Sequence, residues 1–421
     1  MTARVYVHIG PHKTGTTFLQ QVLERNRPAL AVQGVLFPGT PYRRQRQGVR
    51  DLVERSGQAH RSLERDRWDA LVDEVVAWPG EIAVISFEAL STASPDEIAR
   101  LVHSLAPVDV HVVYAARDVT KVVTGLWHTY MRNQGSGSWQ AWLSAVRDTE
   151  AKSPWMWDGQ NVRQVLERWE QHVPRERIHV ITVPPSGTVP NVLWQRFCAV
   201  LGVDPSRHSL EVARTNESLG NAQVELLRRV NEKVIGLISD DSYNRWVQVF
   251  IARRVLEQRP GRLKSALPAE DHGWVLAHTN DVIAFLERKG YPVTGDLDDL
   301  LPAPADPAAV PPDAFDKDEV LDAAVDVIAR LLVKLAAPAR RASPLSRSPH
   351  SSVGGRRRLG SPTTTHDHES LPATRAHPNQ QNFAHHGLSR AAAPAPPWPR
   401  RGHERHQPRS RPASARSRRG G

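Results

Sequence analysis

Apolar positions in the first part of the chain fall into two rhythms. Short, nearly continuous apolar runs at residues 4–9 (RVYVHI), 82–87 (IAVISF), 108–115 (VDVHVVYA) and 178–183 read as strands buried on both faces. Longer stretches between them repeat apolar residues every three to four positions. Residues 17–31 carry Phe18, Leu19, Val22, Leu23 and Leu30 at helix spacing. The same spacing predicts helices over 63–76 (ending near Pro79), 95–105 (capped by Ser94), 119–130, 139–147, 160–171, 191–201 and 222–234. Residues 34–57 are polar and arginine-rich and read as a loop, and the stretch from 235 to 335 reads as helix and loop. Strands that alternate with helices imply a parallel sheet with right-handed crossovers. The expected fold is α/β: a central parallel sheet of about four to five strands flanked by helices, a P-loop-like three-layer sandwich. A helical C-terminal portion follows, over about residues 221–337. Ligands of such sheets bind beyond the carboxyl ends of the strands.

Composition changes this picture at one end. The apolar rhythm stops near residue 337, and residues 338–421 are rich in Pro, Arg, Ser and His. Such a segment cannot bury enough surface to offset chain entropy, so disorder is expected there. The tail holds 16 Arg, no Lys and three acids, a net +13, whereas the whole 421-residue chain carries +10. Residues 1–337 are therefore mildly acidic, and the global basicity says nothing about nucleic acid for the folded body. The tail is open to three readings: a solvated extension, an out-of-frame gene end, or a polyanion-binding arm. Its scattered histidines have no metal-site context.

Cys198 is the one cysteine, which excludes disulfide scaffolds, zinc ribbons and thiol redox pairs. No apolar run is long enough for a membrane span and no signal-peptide core opens the chain, so a cytoplasmic location is expected.

The densest chemical signal is His8-Ile9-Gly10-Pro11-His12-Lys13-Thr14-Gly15-Thr16-Thr17-Phe18-Leu19, between the first strand and the first helix. Glycines there free backbone N–H groups to face an anion, and the helix N-terminus adds a favourable dipole. Gly10, Gly15 and Thr17 align with the nucleotide-hydrolase loop G-x-x-x-x-G-K-[ST]; Thr16 stands in the lysine slot and the lysine comes three positions earlier, at Lys13. The bland alternative is a glycine turn before a capped helix.

Pro11-His12-Lys13-Thr14-Gly15-Thr16-Thr17-Phe18-Leu19-Gln20 resembles the 5′-phosphosulfate-binding loop of the sulfotransferase family, P-K-[ST]-G-T-T, with His12 inserted between Pro and Lys. That family uses 3′-phosphoadenosine 5′-phosphosulfate (PAPS) as sulfuryl donor. The resemblance spans about residues 3–220. It implies that Lys13 lies on the bridging and sulfuryl oxygens, that Gly15, Thr16 and Thr17 cradle the 5′ phosphate, and that Phe18 replaces an adenine-stacking Trp. The family's second signature is an Arg after the third strand and a Ser about eight residues on, both on the 3′ phosphate. Arg117 matches the Arg; Gly125 stands at the Ser position, with Thr124 beside it as a substitute hydroxyl displaced by about 100° around the helix. The family base, a His at the end of the second strand, is absent. Glu88 stands there instead, and heparan-type members use a Glu. Partial burial is expected to raise its pKa toward usefulness; His12 is the rival base.

The resemblance implies transfer of a sulfuryl group from PAPS to a hydroxyl or amine of a carbohydrate, lipid or small-molecule acceptor, with no metal required. The alternatives are a P-loop-type nucleotide kinase or NTPase, and a catalytically degenerate PAPS-binding module. Asn216 and Ser218, near Arg214, are capping candidates for a loop closing over the nucleotide. The tryptophans at 127–157 read either as core or as an acceptor groove. The oligomeric state is not legible.

Overall fold

The buried runs form the strands that their alternation requires. β1 (Arg4–Gly10), β3 (Ile82–Ser86), β4 (Asp109–Ala116) and β5 (Ile178–Thr182) are joined by two short edge strands, β2 (Val35–Leu36) and β6 (Val293–Thr294). The computed structural model describes residues 2–54, 67–148, 155–189, 191–212, 219–259, 265–308 and 310–336. All pairings among these strands are parallel, in the order β2-β3-β1-β4-β5-β6. The sheet therefore has six strands where four to five are expected. The two extra strands are two residues each, too short to give an alternation signal.

The helices, in chain order, are α1 (Thr16–Arg25), α2 (Arg27–Val32), α3 (Tyr42–Glu54), α4 (Arg67–Ala77), α5 (Pro95–Ser104), α6 (Val119–Arg132), α7 (Trp139–Arg147), α8 (Trp155–Asp158), α9 (Val162–Glu170), α10 (Val192–Leu201), α11 (Asn221–Val234), α12 (Asp240–Tyr243), α13 (His272–Lys289) and α14 (Lys317–Ala336). A π-helix runs from Asn244 to Val255. Two expectations change. The helix predicted over 17–31 is broken at Asn26, whose side-chain amide bonds Val22 O and Ser209 O, each at 2.8 Å. The arginine-rich stretch read as a loop contains α3: Gln45, Val49 and Leu52 are buried on one face at i, i+4, i+7 spacing. Only two of those three are apolar, so the stripe was weak in the sequence. Gly48 lets α3 close on α4, since a Cβ there would meet Leu71 Cδ1 at 2.3 Å.

Side-chain alternation along the strands builds two cores. Val5, Val7, Ile9, Ile85, Val112 and Tyr114 face α3, α4, α5, α9 and α13. Tyr6, Val84, Val113, Ala115 and Ile181 face α1 and α10. A third core lies among α6, α7, α11, the π-helix and α14. Trp127, Trp139, Trp142 and Trp157 are buried in it, which is the core reading of the tryptophan stretch. The expected disorder of 338–421 and the capping candidates at 216 and 218 lie outside the described residues.

The chain runs from β1 toward β2 and β3 on one side, then crosses back past β1 to β4. The switch of direction thus falls between β1 and β4, where a crevice opens beyond the carboxyl ends of parallel strands.

Candidate anion-binding site

Two strand-to-helix corners meet at that crevice. The first runs from Gly10 to Thr17. Gly10, Lys13 and Gly15 adopt φ of 84°, 69° and 86°. Glycine takes these values freely; for lysine the left-handed region costs about 1–2 kcal/mol. Space also demands the glycines. A Cβ on Gly10 would lie 2.9 Å from Glu88 Cα, and one on Gly15 would lie 2.5 Å from Leu193 Cδ2 of α10. The loop is clamped by its carbonyls: Arg117 Nη1 donates to Lys13 O at 2.6 Å and Gln160 Nε2 to His12 O at 2.7 Å. Thr14 donates its hydroxyl to Pro11 O at 2.7 Å. Gly15, which has no side chain to offer, is the N-cap of α1, and among the described residues no side chain caps that helix. Its first N–H groups therefore have no side-chain acceptor, the arrangement that favours an anion. Thr16 is buried at that turn, Thr17 is exposed, and Phe18 is half-buried against the core shared with α10.

The second corner joins β4 to α6. Here Asp118 is the N-cap and accepts from Thr120 N at 2.8 Å, closing the helix start. Arg117, just before it, bridges the crevice to Lys13 O. Burial holds the Arg117 guanidinium below its ordinary pKa, with Asp118 opposing.

The Lys13 side chain lies along one face of α6. A Cβ on Gly125 would meet its Cδ, Cγ and Cε at 3.3, 3.4 and 3.6 Å. Gly125 thus supplies a floor for the lysine stem and no hydroxyl. Thr124 is buried and donates its own hydroxyl to Thr120 O at 3.0 Å, so that hydrogen is already used within the helix. Lys13 makes no hydrogen bond from its ammonium and no ion pair among the described residues. Burial, then Arg132 and Arg117, push its pKa down to about 8 against the pull of Glu257. Arg132 pairs with Glu257 at 2.6 Å. His128, pushed down to about 3 by burial, Lys13 and Arg132, stays neutral and bonds Ser265 Oγ at 2.9 Å. Arg132 and His128 were not among the sequence candidates. The signal was available: with Gly125 they share one helical face at i, i+3, i+7.

Glu88 lies on the other flank of the loop, in a 3₁₀ turn directly after β3. Its Oε2 accepts from Gln20 Nε2 at 3.0 Å, and its Oε1 lies 3.8 Å from His12 Nδ1. Burial pushes the Glu88 carboxyl up, but His12, the Gln20 amide and Arg46 outweigh it and the net direction is down. The expected rise is thus reversed, because partners of the carboxylate offset its desolvation. Burial lowers His12 in turn, against the pull of Glu88. Gln20 also reaches Ser86 Oγ at 3.3 Å, and buried His8 bonds that hydroxyl at 2.8 Å. Gln20 was missed as a site residue. It is a polar residue one turn after Thr16 on the buried face of an amphipathic helix.

Pro11 through Phe18, Arg117 and Glu88 therefore converge on one crevice, with Lys13 and Glu88 on opposite flanks of the loop. The arrangement can hold an anion at the α1 start, surround it with cations, and keep a carboxylate beside it.

No family model matches this chain, and no curated protein matches it. Among solved structures, the chain is similar to a sulfotransferase from Alicyclobacillus acidocaldarius at 14% identity and a TM-score of 0.34, over 56% of this chain and 94% of that one. It is similar also to the sulfotransferase domain from the curacin biosynthetic pathway, at 11% identity and a TM-score of 0.27, over 70% of this chain and 99% of that one. Among the described residues, no helix is long and apolar enough to cross a membrane.

Proposed function

We propose that the chain is a sulfotransferase that takes PAPS as donor and passes the sulfuryl group to a hydroxyl or amine of an acceptor. The observation that carries this reading is the uncapped start of α1 beside Lys13, an ammonium that lacks an ion pair among the described residues and has Arg117 across the crevice. The residues fit the donor. The N–H groups at Gly15, Thr16 and Thr17 and the Thr17 hydroxyl would hold its 5′ phosphate. The Arg117 N–H groups not bound to Lys13 O would hold the 3′ phosphate without help from Thr124, and the exposed part of Phe18 would meet the adenine. When bound, the donor supplies an activated sulfuryl group whose leaving phosphate gains negative charge.

The residues of this chain act on that charge and on the acceptor proton. Lys13 is desolvated and fixed on Gly125, so its field on a nearby oxyanion is strong and needs little reorganisation. Glu88 is ionised at neutral pH. Gln20 holds Oε2, which leaves Oε1 as the oxygen that takes the acceptor proton. A carboxylate of lowered pKa is a weak base, so proton transfer comes late, as bond formation proceeds.

The test is calorimetric titration of the full chain with adenosine 3′,5′-bisphosphate and, separately, ATP, in EDTA. Metal-free binding of the bisphosphate with little for ATP is expected. Binding of ATP only when Mg²⁺ is restored, with none of the bisphosphate, would make the loop a nucleoside triphosphate site.

A further inference from the structure

Helix α14 has two apolar faces. One, with Val320, Ala323 and Val327, is buried in the helical core. The other is a stripe of Leu321, Val325, Ile328, Leu332 and Leu335, exposed by 61, 55, 56, 61 and 73%. Single exposed aliphatic residues are ordinary on a protein surface. Five at intervals of four, three, four and three are not scattered. That is the seam of a coiled coil, and it runs for about 21 Å along the helix. The fold leaves this face uncovered among the described residues, although the buried face already anchors the helix.

We propose that this stripe is a dimer interface and that its occupant is the same helix of a second copy, antiparallel, across a two-fold axis near Ile328. The stripe is nearly symmetric about Ile328: its intervals are four, three, four and three from one end and three, four, three and four from the other, so the ends match and the inner positions are offset by one residue. Leu321 and Leu335 each lie seven residues from Ile328, and Val325 and Leu332 lie three and four residues from it. A two-fold operation therefore lays Leu321 against Leu335 of the partner subunit, and Ile328 against its own equivalent, the self-complementarity a closed dimer needs. Charge sets the direction. Residues 317–326 hold one lysine and four acids, a net −3, whereas residues 327–336 hold Arg330 and Lys334 and no acid. An antiparallel pair puts each acidic half beside a basic half; a parallel pair stacks the acidic halves within a Debye length of about 10 Å. Ala324 and Ala329 flank the stripe and add no bulk between the helices.

The experiment is sedimentation velocity of the full chain from about 1 to 100 µM, the range in which a dimer of ordinary affinity dissociates. A concentration-dependent dimer is expected. Ile328→Lys sets two ammonium groups on the axis and weakens it by about 100-fold or more. Because Ile328 is exposed, the variant keeps the wild-type melting temperature at a concentration where both proteins are monomers, which separates lost association from lost folding. Cysteine trapping reads the direction, since the native Cys198 is buried. Leu321→Cys mixed with Leu335→Cys cross-links on oxidation, and neither does so alone. A monomer at every concentration overturns the proposal and leaves the stripe to residues beyond 336 or to another protein. A dimer indifferent to Ile328→Lys overturns it as well. Leu321→Cys cross-linking to itself overturns the antiparallel pairing.

Discussion

The two corners that meet between β1 and β4 are built from the same plan, a strand, a tight turn and a helix, yet one is closed and the other open. At the β4 corner Asp118 caps α6 with its own carboxylate, and Thr120 returns its hydroxyl to the same group. At the β1 corner no side chain caps α1 among the described residues, and a lysine sits in the left-handed region between two glycines. A cap is worth about 1 kcal/mol, and a non-glycine residue in left-handed backbone costs about 1–2 kcal/mol. The first corner is thus the less stable of two equivalent constructions. Strain that survives in a tightly clamped loop supports the site proposed there. The clamp is visible: Arg117 comes from the closed corner and holds the open one in place.

The largest expected effect tests what stands beside the open corner. Glu88→Gln keeps the Gln20 contact within reach but removes the carboxylate proposed to take the acceptor proton. Slow transfer to water, read as labelled sulfate released from PAPS, falls by about 10²–10⁴, while the affinity for adenosine 3′,5′-bisphosphate holds. Equal rates in the two proteins would remove Glu88 from the chemistry. Next comes Lys13→Ala. Loss of one desolvated cation raises the bisphosphate Kd by about 100-fold. The melting temperature holds or rises, because a strained backbone position also loses a buried charge. A variant that melts lower and binds as before would mean that Lys13 only shapes the loop.

The pH dependence is smaller. Lys13 releases its proton at about 8, below the ordinary lysine value, because burial and two arginines disfavour its charge. Its folded pKa is lowered, so the charged form is complete well below pH 8 and is lost as the pH rises through it. Bisphosphate affinity is then flat in this group below pH 8 and falls by about tenfold per pH unit above it. Lys13→Arg abolishes that fall, since a guanidinium keeps its proton. An unchanged profile in Lys13→Arg would assign the titration to another group.

The open corner was more legible in the sequence than the closed one, for a physical reason. Gly10, Gly15 and the Thr pair mark a turn whose φ values and close approaches admit few other residues, so the pattern survives in one chain. The four long strands were legible because burial on both faces makes each an unbroken apolar run. The edge strands were not, because two residues carry no period. Helix α3 was hidden by Arg43, Arg44, Arg46 and Arg50, exposed or half-buried residues that outnumber its three aliphatic ones, Val49, Leu52 and Val53. The roles of Thr124 and Gly125 were also illegible. Spacing gives position along a helix, but the Thr124 hydroxyl turns back to Thr120 O within α6, and the resting place of the Lys13 stem depends on packing between elements more than 100 residues apart. The Glu88 pKa was misjudged for the same reason: burial was foreseeable, but its Gln20 and His12 partners were set by how the loop folds back on β3.

The smallest expected effect is the one that divides the corners most cleanly. Asp118→Ala removes the α6 cap and leaves the N–H of Thr120 without its acceptor. Stability to chemical denaturation falls by about 1 kcal/mol. Two opposing changes reach the crevice. Arg117 loses the neighbouring carboxylate that favours its charge, and the helix start gains free N–H groups. If the open corner alone carries the 5′ phosphate and Arg117 meets the other phosphate through its side chain, these changes leave the bisphosphate Kd within about threefold, less than 1 kcal/mol. If the β4 corner is also an anion-binding helix start, held shut by its own carboxylate, then Asp118→Ala tightens binding by tenfold or more while it destabilises the fold. That result would make the two corners alike, with Asp118 as the group that keeps one of them closed.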